Sequence, residues 1–126
     1  MSGRDLPARG LGRLVFASSL TGVLLFALWP HPPSLPYLAS DRAQHAAAFA
    51  FLTLAARHAW PRTRWGWLFA VLASFGLVIE VMQGLVPTGR KPELNDWLMD
   101  CAAIGAVLAV NAIWQRLCNW TRRTAP

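Results

Sequence analysis

The chain has 126 residues, of which 55% are hydrophobic and 14% are charged, whereas soluble domains carry about 25% charged residues. This composition excludes an ordinary soluble domain and indicates a membrane protein. The formal net charge of +6 does not indicate nucleic-acid binding, because no basic stripe lies on a recognisable soluble fold.

Four apolar stretches predict an all-α membrane protein, a bundle of about four transmembrane helices that forms a single domain over residues 1–126. A transmembrane helix needs about 20 largely apolar residues. The predicted helices cover residues 11–29, 42–59, 65–86 and 96–115. The second stretch is short, and it spans a membrane only if Asp41 to Gln44 lie in the interface.

The first helix follows a basic segment that contains Arg4, Arg9 and Arg13, which is also typical of a secretory signal peptide. Such peptides end in a small-x-small cleavage pattern, and that pattern is missing after this helix. The helix is followed instead by a proline-rich segment, Trp29 to Pro36, which favours polyproline II structure. We therefore expect helix one to be an uncleaved membrane anchor.

The basic residues predict the orientation of the bundle. If four helices alternate across the membrane, nine of the twelve basic residues fall on one side: Arg4, Arg9, Arg13, Arg57, Arg62, Arg64, Arg116, Arg122 and Arg123. Arg42, Arg90 and Lys91 fall on the other side. Because Lys and Arg accumulate on the cytoplasmic side, we expect both termini to be cytoplasmic.

Seven polar side chains lie at or near the predicted outer ends of the helices: Asp41, His45, Glu80, Gln83, Arg90, Asp96 and Asp100. Glu80 lies within an apolar run, and a carboxylate at membrane depth is costly unless it faces the protein interior or a wet cavity. Residues three or four apart share a helix face, as do Asp41 with His45, Glu80 with Gln83, and Asp96 with Asp100. The spacing therefore permits one shared site at the outer face.

Structural roles for the same residues remain open. Asp96 lies where it can cap the fourth helix, and Arg90 lies in a loop where it can be a solvated charge. His45 can simply hydrogen-bond a neighbouring helix. A pair between Glu80 and either Arg90 or His45 can also lock helices together without any ligand.

The order and spacing of these residues resemble the VanZ-like family of small bacterial membrane proteins, named for a member linked to teicoplanin resistance. The matching motifs are Asp41-x3-His45-x3-Phe49, Glu80-x2-Gln83, Pro87 with Arg90, and Asp96-x3-Asp100. They lie within about residues 35–110. Two positions depart from the family pattern: Asp100 stands where Asn is usual, and Ala103 stands where glycine is usual. The resemblance implies a multi-pass protein of the bacterial inner membrane, in some members tied to glycopeptide resistance, and supplies no reaction.

One hypothesis is an envelope factor that binds a lipid headgroup or a lipid-linked cell-wall precursor at the outer face. Arg90 would bind a phosphate or carboxylate through its planar guanidinium group. Gln83 and Asp96 would hydrogen-bond sugar or peptide groups, and Asp41 and Asp100 would belong to the same binding site. Membrane lipids are then the expected partners.

Two other hypotheses use the same residues differently. In an intramembrane hydrolase or transferase, Glu80 would act as the base, with His45 or Asp96 assisting. Asp41, His45, Glu80, Asp96 and Asp100 are residue types that hold divalent metals, but the HExxH motif is missing and we expect no cofactor. In a proton-coupled transporter, Glu80 and His45 would relay protons.

Overall fold

The computed structural model describes residues 5–30, 40–87 and 89–124, with side chains for 10–30, 40–87 and 89–122. Within those ranges the chain forms four helices and no strand: α1 (Asp5–Ala27), α2 (Asp41–Ala59), α3 (Trp65–Leu85) and α4 (Leu94–Thr124). The prediction of an all-α chain with four helices is therefore confirmed. Residues 31–36 of the expected polyproline segment, and the side chains of Arg4, Arg9 and Arg123, lie outside the described part.

Two helices extend beyond the predicted apolar stretches. α1 begins at Asp5 instead of residue 11, with Pro7 in its first turn, where the missing N–H would have no helical acceptor. α4 continues to Thr124 instead of ending at residue 115, and its last part carries the exposed side chains of Arg116 and Arg122. A helix does not have to end where its apolar stretch ends, because polar residues such as Gln and Arg are also good helix formers.

One end of the bundle brings together the end of α1, the start of α2, the end of α3 and the start of α4. The side-chain amide of Gln83 donates to the Ala27 carbonyl oxygen at 3.0 Å, which joins α3 to α1. His45 contacts Asp100 at 3.2 Å, which joins α2 to α4. We call this the acidic end, because Asp41, Glu80, Glu93, Asp96 and Asp100 all lie there.

The opposite end joins the start of α1, the end of α2 and the start of α3. The rings of Phe16 and Trp60 meet edge to face with centroids 5.1 Å apart. The guanidinium group of Arg57 lies 5.2 Å from the centroid of the Trp65 ring. We call this the basic end, since Arg13, Arg57, Arg62 and Arg64 lie there. Successive helices therefore run in opposite directions.

Three helices are long and apolar enough to cross a membrane. The spans are Gly10–Ala27 in α1, Trp65–Leu85 in α3 and Leu94–Arg122 in α4. Their outer surfaces carry exposed large apolar side chains such as Leu14, Leu77 and Val110. An apolar surface of this extent is unusual for a soluble monomer and indicates a membrane protein.

α2 is less apolar than the other helices and occupies the centre of the bundle. It packs against both α1 and α4, and Phe49, Leu52, Thr53 and Ala56 are fully or almost fully buried. Thr53 satisfies its hydroxyl group within the helix by donating to the Phe49 carbonyl oxygen at 2.6 Å. Neighbouring helices thus cover much of α2, which is not among the three candidate membrane spans.

α3 and α4 approach each other closely at Gly76. A Cβ atom added there would lie 2.8 Å from Oδ2 of Asp100, 3.3 Å from Cζ of Phe49 and 3.4 Å from Cδ1 of Trp97. Trp97 donates its indole N–H to the Ala73 carbonyl oxygen at 2.9 Å, one turn earlier in α3. Glycine at position 76 therefore provides the space into which Asp100 fits.

We predict that Gly76→Ala destabilises the bundle, because the added methyl group displaces the fully buried Asp100 carboxyl group. The expected loss is about 1–3 kcal/mol, typical of overpacking in a tight core, measured by thermal unfolding in detergent. Gly105→Ala in α4 is the matched control, because its Cβ would make only an ordinary contact, 3.9 Å from Phe69. Equal melting temperatures for the two variants would contradict the close approach.

Candidate functional site

Four titratable side chains from three helices are buried together at the acidic end: His45 of α2, Glu80 of α3, and Asp96 and Asp100 of α4. We call these four residues the polar cluster. Each lies within about two turns of the end of its helix at the acidic end. All four side chains therefore lie at about the same level of the bundle. Asp100 is completely buried.

Local sequence explains why these groups meet. Ser40 caps α2 by accepting a hydrogen bond from the backbone N–H of Ala43 at 3.2 Å, which places His45 in the second turn. Asp96 and Asp100 are one turn apart at the start of α4 and therefore share a face. The interval between Gly76 and Glu80 is also one turn, so Glu80 lies directly above the glycine that accommodates Asp100.

His45 and Asp100 form a close pair. Nδ1 of His45 lies 3.2 Å from Oδ1 and 3.4 Å from Oδ2 of Asp100. A carboxylate that accepts the proton of one imidazole nitrogen fixes the ring orientation and its tautomer. The other nitrogen, Nε2, is then an acceptor that can bind a proton or a cation.

Glu80 is held by the chain that leads into α4. Its Oε2 accepts a hydrogen bond from the backbone N–H of Glu93 at 2.7 Å. Its Oε1 is buried and has no hydrogen-bond partner among the described residues, and the same holds for Oδ1 of Asp96. Leaving a buried acceptor unsatisfied costs about 1–3 kcal/mol, and more for a charged group, so these two oxygens call for a compensating partner.

Three side chains of the polar cluster also bring possible metal-ligand atoms close together. His45, Glu80 and Asp96 each offer one ligand atom, and these three atoms lie within 4.8 Å of one another. Nε of Arg42 lies 3.6 Å from Oδ1 of Asp96, which is an ion-pair distance but too long for a hydrogen bond. Atoms of these types that lie this close together can bind a cation.

Asp41 and Arg90 form a separate pair at the edge of the polar cluster. Nη2 of Arg90 lies 2.9 Å from Oδ2 of Asp41, whose side chain is 58% exposed. Gly89, which precedes Arg90, has a φ angle of 74°, a conformation that favours glycine. This turn directs the hairpin between α3 and α4 back toward α2 and brings Arg90 to Asp41.

The seven residues predicted for one site thus divide into three groups. His45, Glu80, Asp96 and Asp100 come together, and Asp41 and Arg90 pair next to them. Gln83 instead donates its side-chain amide to the last turn of α1, so it connects helices. Of the two helix-locking pairs considered for Glu80, the Glu80–Arg90 pair is not formed. Arg90 pairs with Asp41, and Glu80 accepts a hydrogen bond from the backbone N–H of Glu93.

Sequence reasoning missed three residues that shape the site. Glu93 contributes a backbone N–H, which no side-chain motif reveals. Arg42 bridges Asp96 and Glu93 at 3.6 Å from each, although its place beside Asp41 looks like an ordinary interfacial charge. Gly76 had a detectable signal, since a glycine inside an apolar helix, one turn before Glu80, often marks close packing.

A cavity of about 490 Å³ lies between α1 and α2 beside the polar cluster. Its polar lining comes from Asp41, Gln44, His45 and Arg90 at the acidic end and from Ser19 in α1. The rest of the lining is formed by small and apolar residues: Gly22, Val23, Phe26, Ala27, Ala47, Ala48, Phe49 and Ile79. We call this the α1–α2 cavity. Its chemistry changes from polar to apolar along the bundle.

No family model, curated protein or solved structure matches the chain. Its function is therefore inferred from the geometry and chemistry of the acidic end.

We predict strong energetic coupling between His45 and Asp100 in a double-mutant cycle with His45→Ala and Asp100→Ala. Removing one partner leaves the other buried and unpaired, so the coupling free energy should be on the order of 2 kcal/mol. The same cycle for Arg90 and Asp41 is the control and should give about 0–1 kcal/mol, because that pair is partly exposed. Both cycles are measured by thermal unfolding in detergent. Equal coupling free energies would contradict a stronger interaction in the buried His45–Asp100 pair.

Proposed function

We propose that the chain is a VanZ-like protein of the bacterial inner membrane that binds the headgroup of a lipid or lipid-linked cell-wall precursor at its acidic end. The observation that carries this proposal is the α1–α2 cavity, which has a polar end and an apolar body. A site of this kind suits an amphiphile, whose charged headgroup and hydrocarbon chain require opposite surroundings. Its volume falls within the range of ligand pockets, about 300–1,000 Å³.

The polar end of the cavity has groups that suit an anionic headgroup. Arg90 carries five N–H donors in a planar group, so it can bind a phosphate oxygen and Asp41 at the same time. Gln44, also in the polar lining, adds a side-chain amide that hydrogen-bonds hydroxyl, sugar or phosphate oxygens. Asp41 disfavours an anion placed directly against it, so the headgroup is expected on the side of Arg90 that faces the cavity.

The apolar body of the cavity suits the hydrocarbon part of such a ligand. Val23 and Phe26 form its α1 wall, and Phe49 and Ile79 form the opposite side. Gly22 leaves open space on the α1 wall, because a Cβ atom there would meet nothing within 4 Å. A single acyl or prenyl chain can therefore lie along α1 with its headgroup at the acidic end.

The proposed function requires the acidic end to face outward. α2 runs antiparallel to α1 and α3 and packs between α1 and α4, which supports four membrane-spanning segments instead of three. The basic end carries Arg13, Arg57, Arg62 and Arg64, and positive residues accumulate in the cytoplasm. Both termini are then cytoplasmic, and the α1–α2 cavity opens toward the outer leaflet.

This orientation predicts a labelling pattern for single cysteines introduced after replacing Cys101 and Cys118 by alanine. In intact cells, a membrane-impermeant thiol reagent should label Arg42→Cys and Lys91→Cys but label Arg62→Cys only after permeabilisation. Arg42 lies in the first turn of α2 and Arg62 follows its last residue, so labelling of both from the same side would show that α2 does not cross the membrane.

Lipid binding in the α1–α2 cavity predicts that filling the cavity and removing the positive charge of Arg90 change lipid retention in different ways. The probes are phosphatidylglycerol and phosphatidylcholine with identical acyl chains, whose retention by the purified full chain is measured by native mass spectrometry. Gly22→Phe should reduce retention of both lipids by about tenfold or more, a change of roughly 1.4 kcal/mol. Arg90→Ala should reduce mainly that of phosphatidylglycerol, because the lost interaction is with an anion.

Two matched controls accompany this experiment. Gly10→Phe adds the same side chain to an exposed position of α1 outside the cavity, and Arg64→Ala removes an exposed arginine at the basic end. Both should retain lipid as the unmodified chain does. If Gly22→Phe also retains both lipids unchanged, the α1–α2 cavity is not the binding site.

A further inference from the structure

We propose that His45, Glu80 and Asp96 bind one divalent first-row transition-metal ion, with Asp100 as the residue that orients His45. The sequence alone favours no cofactor, since it lacks a recognised metal motif. The proposal comes from side chains that three different helices bring together. It goes beyond lipid binding and does not depend on it, because of the three metal ligands only His45 also lines the α1–α2 cavity.

The spacing of the ligand atoms fits a site that closes around an ion. One nitrogen or oxygen from each of the three residues lies within 4.8 Å of the other two. Ligand atoms about 2.1 Å from a tetrahedral ion are about 3.4 Å apart, so closing around an ion takes an inward movement of each side chain of at most on the order of 1 Å.

The unsatisfied oxygens give a second and independent reason. Oε1 of Glu80 and Oδ1 of Asp96 are buried without a hydrogen-bond partner in the described part of the chain. The other oxygen of Glu80 already accepts the N–H of Glu93, so this carboxyl group is fixed with one free oxygen. If the cluster served only to lock helices, these oxygens would be expected to accept hydrogen bonds from neighbouring donors.

Charge balance also favours a cation. The polar cluster buries three carboxyl groups with one imidazole, and Asp96 has Arg42 at 3.6 Å. Arg42 is about half exposed, so solvent weakens its effect. A divalent ion that binds Glu80 and Asp96 directly would neutralise two carboxylates where the surroundings are apolar.

The His45–Asp100 pair matches the outer shell of many metal sites. Metal-binding imidazoles usually donate their second N–H to a carboxylate or carbonyl group, which fixes the ring and raises its basicity. Here Nδ1 of His45 faces Asp100 at 3.2 Å, so Nε2 is the nitrogen that the proposal gives to the ion. One imidazole and two carboxylates suit ions such as Zn²⁺, Co²⁺ or Mn²⁺, and three protein ligands leave coordination positions for water or a ligand oxygen.

The test uses the purified full chain in detergent, stripped with a chelator and titrated with Co²⁺, whose visible absorption reports its coordination. We expect one Co²⁺ per chain, displaced by Zn²⁺. Glu80→Gln and Asp96→Asn should each weaken Co²⁺ affinity at least tenfold. Asp100→Asn should weaken it by about 10–100-fold, as loss of an outer-shell carboxylate does, without removing a ligand.

Two controls separate this site from adventitious binding. Glu93→Gln removes a neighbouring carboxylate that is 54% exposed, while the backbone N–H of residue 93 still donates to Glu80. His58→Ala removes an exposed histidine at the basic end. Both should bind Co²⁺ within about twofold of the unmodified chain.

The proposal is overturned if the unmodified chain binds no Co²⁺ or Zn²⁺ at millimolar concentration, or if Glu80→Gln binds Co²⁺ as tightly as the unmodified chain. Thermal unfolding of each variant verifies that it is folded, and Asp96→Asn provides a second ligand substitution if Glu80→Gln is not. Lipid retention by the Gly22→Phe variant is measured separately, so a failed metal site and a failed lipid site give different results.

Discussion

The burial of three carboxyl groups and one imidazole at the acidic end is the constraint on which the rest of the bundle depends. Removing an ionised carboxylate from water is so costly that it must be paired, protonated or bound to a cation. Helices α2, α3 and α4 each contribute to this cluster and can therefore not shift or rotate independently. The polar cluster therefore helps to fix the positions of these three helices along the bundle axis.

Features elsewhere in the bundle follow from that constraint. Gly76 is needed because Asp100 lies against the backbone of α3. The hairpin between α3 and α4 must return close to Glu80, because the backbone N–H of Glu93 donates a hydrogen bond to the Glu80 carboxyl group. α2 tolerates its low apolar content because α1 and α4 cover it, and the gap that remains between α1 and α2 is the cavity proposed to bind lipid.

Helices α1, α3 and α4 could be predicted from sequence because a helix needs an apolar stretch of about 20 residues to cross a bilayer, and soluble helices rarely have one. Glu80 could be selected because it interrupts such a stretch, and one-turn spacing correctly placed Asp96 and Asp100 on one face. Apolar stretches and one-turn spacing do not predict which residues pair across helices. Gln83 shares a face with Glu80 yet reaches Ala27, and the donor to Glu80 is a backbone group of Glu93. Such choices depend on helix rotation and on the path of a loop, which residue spacing does not determine.

A divalent cation bound to the polar cluster would keep its buried carboxyl groups ionised, and removing that cation should protonate at least one of them. Infrared difference spectroscopy of the purified chain in lipid, recorded with and without a chelator, detects this change because protonated carboxyl groups have their own C=O stretching band. We expect that removing the ion produces this band, and that Glu80→Gln diminishes it. A protonated-carboxyl band of equal strength with and without the ion would contradict a cation-stabilised cluster.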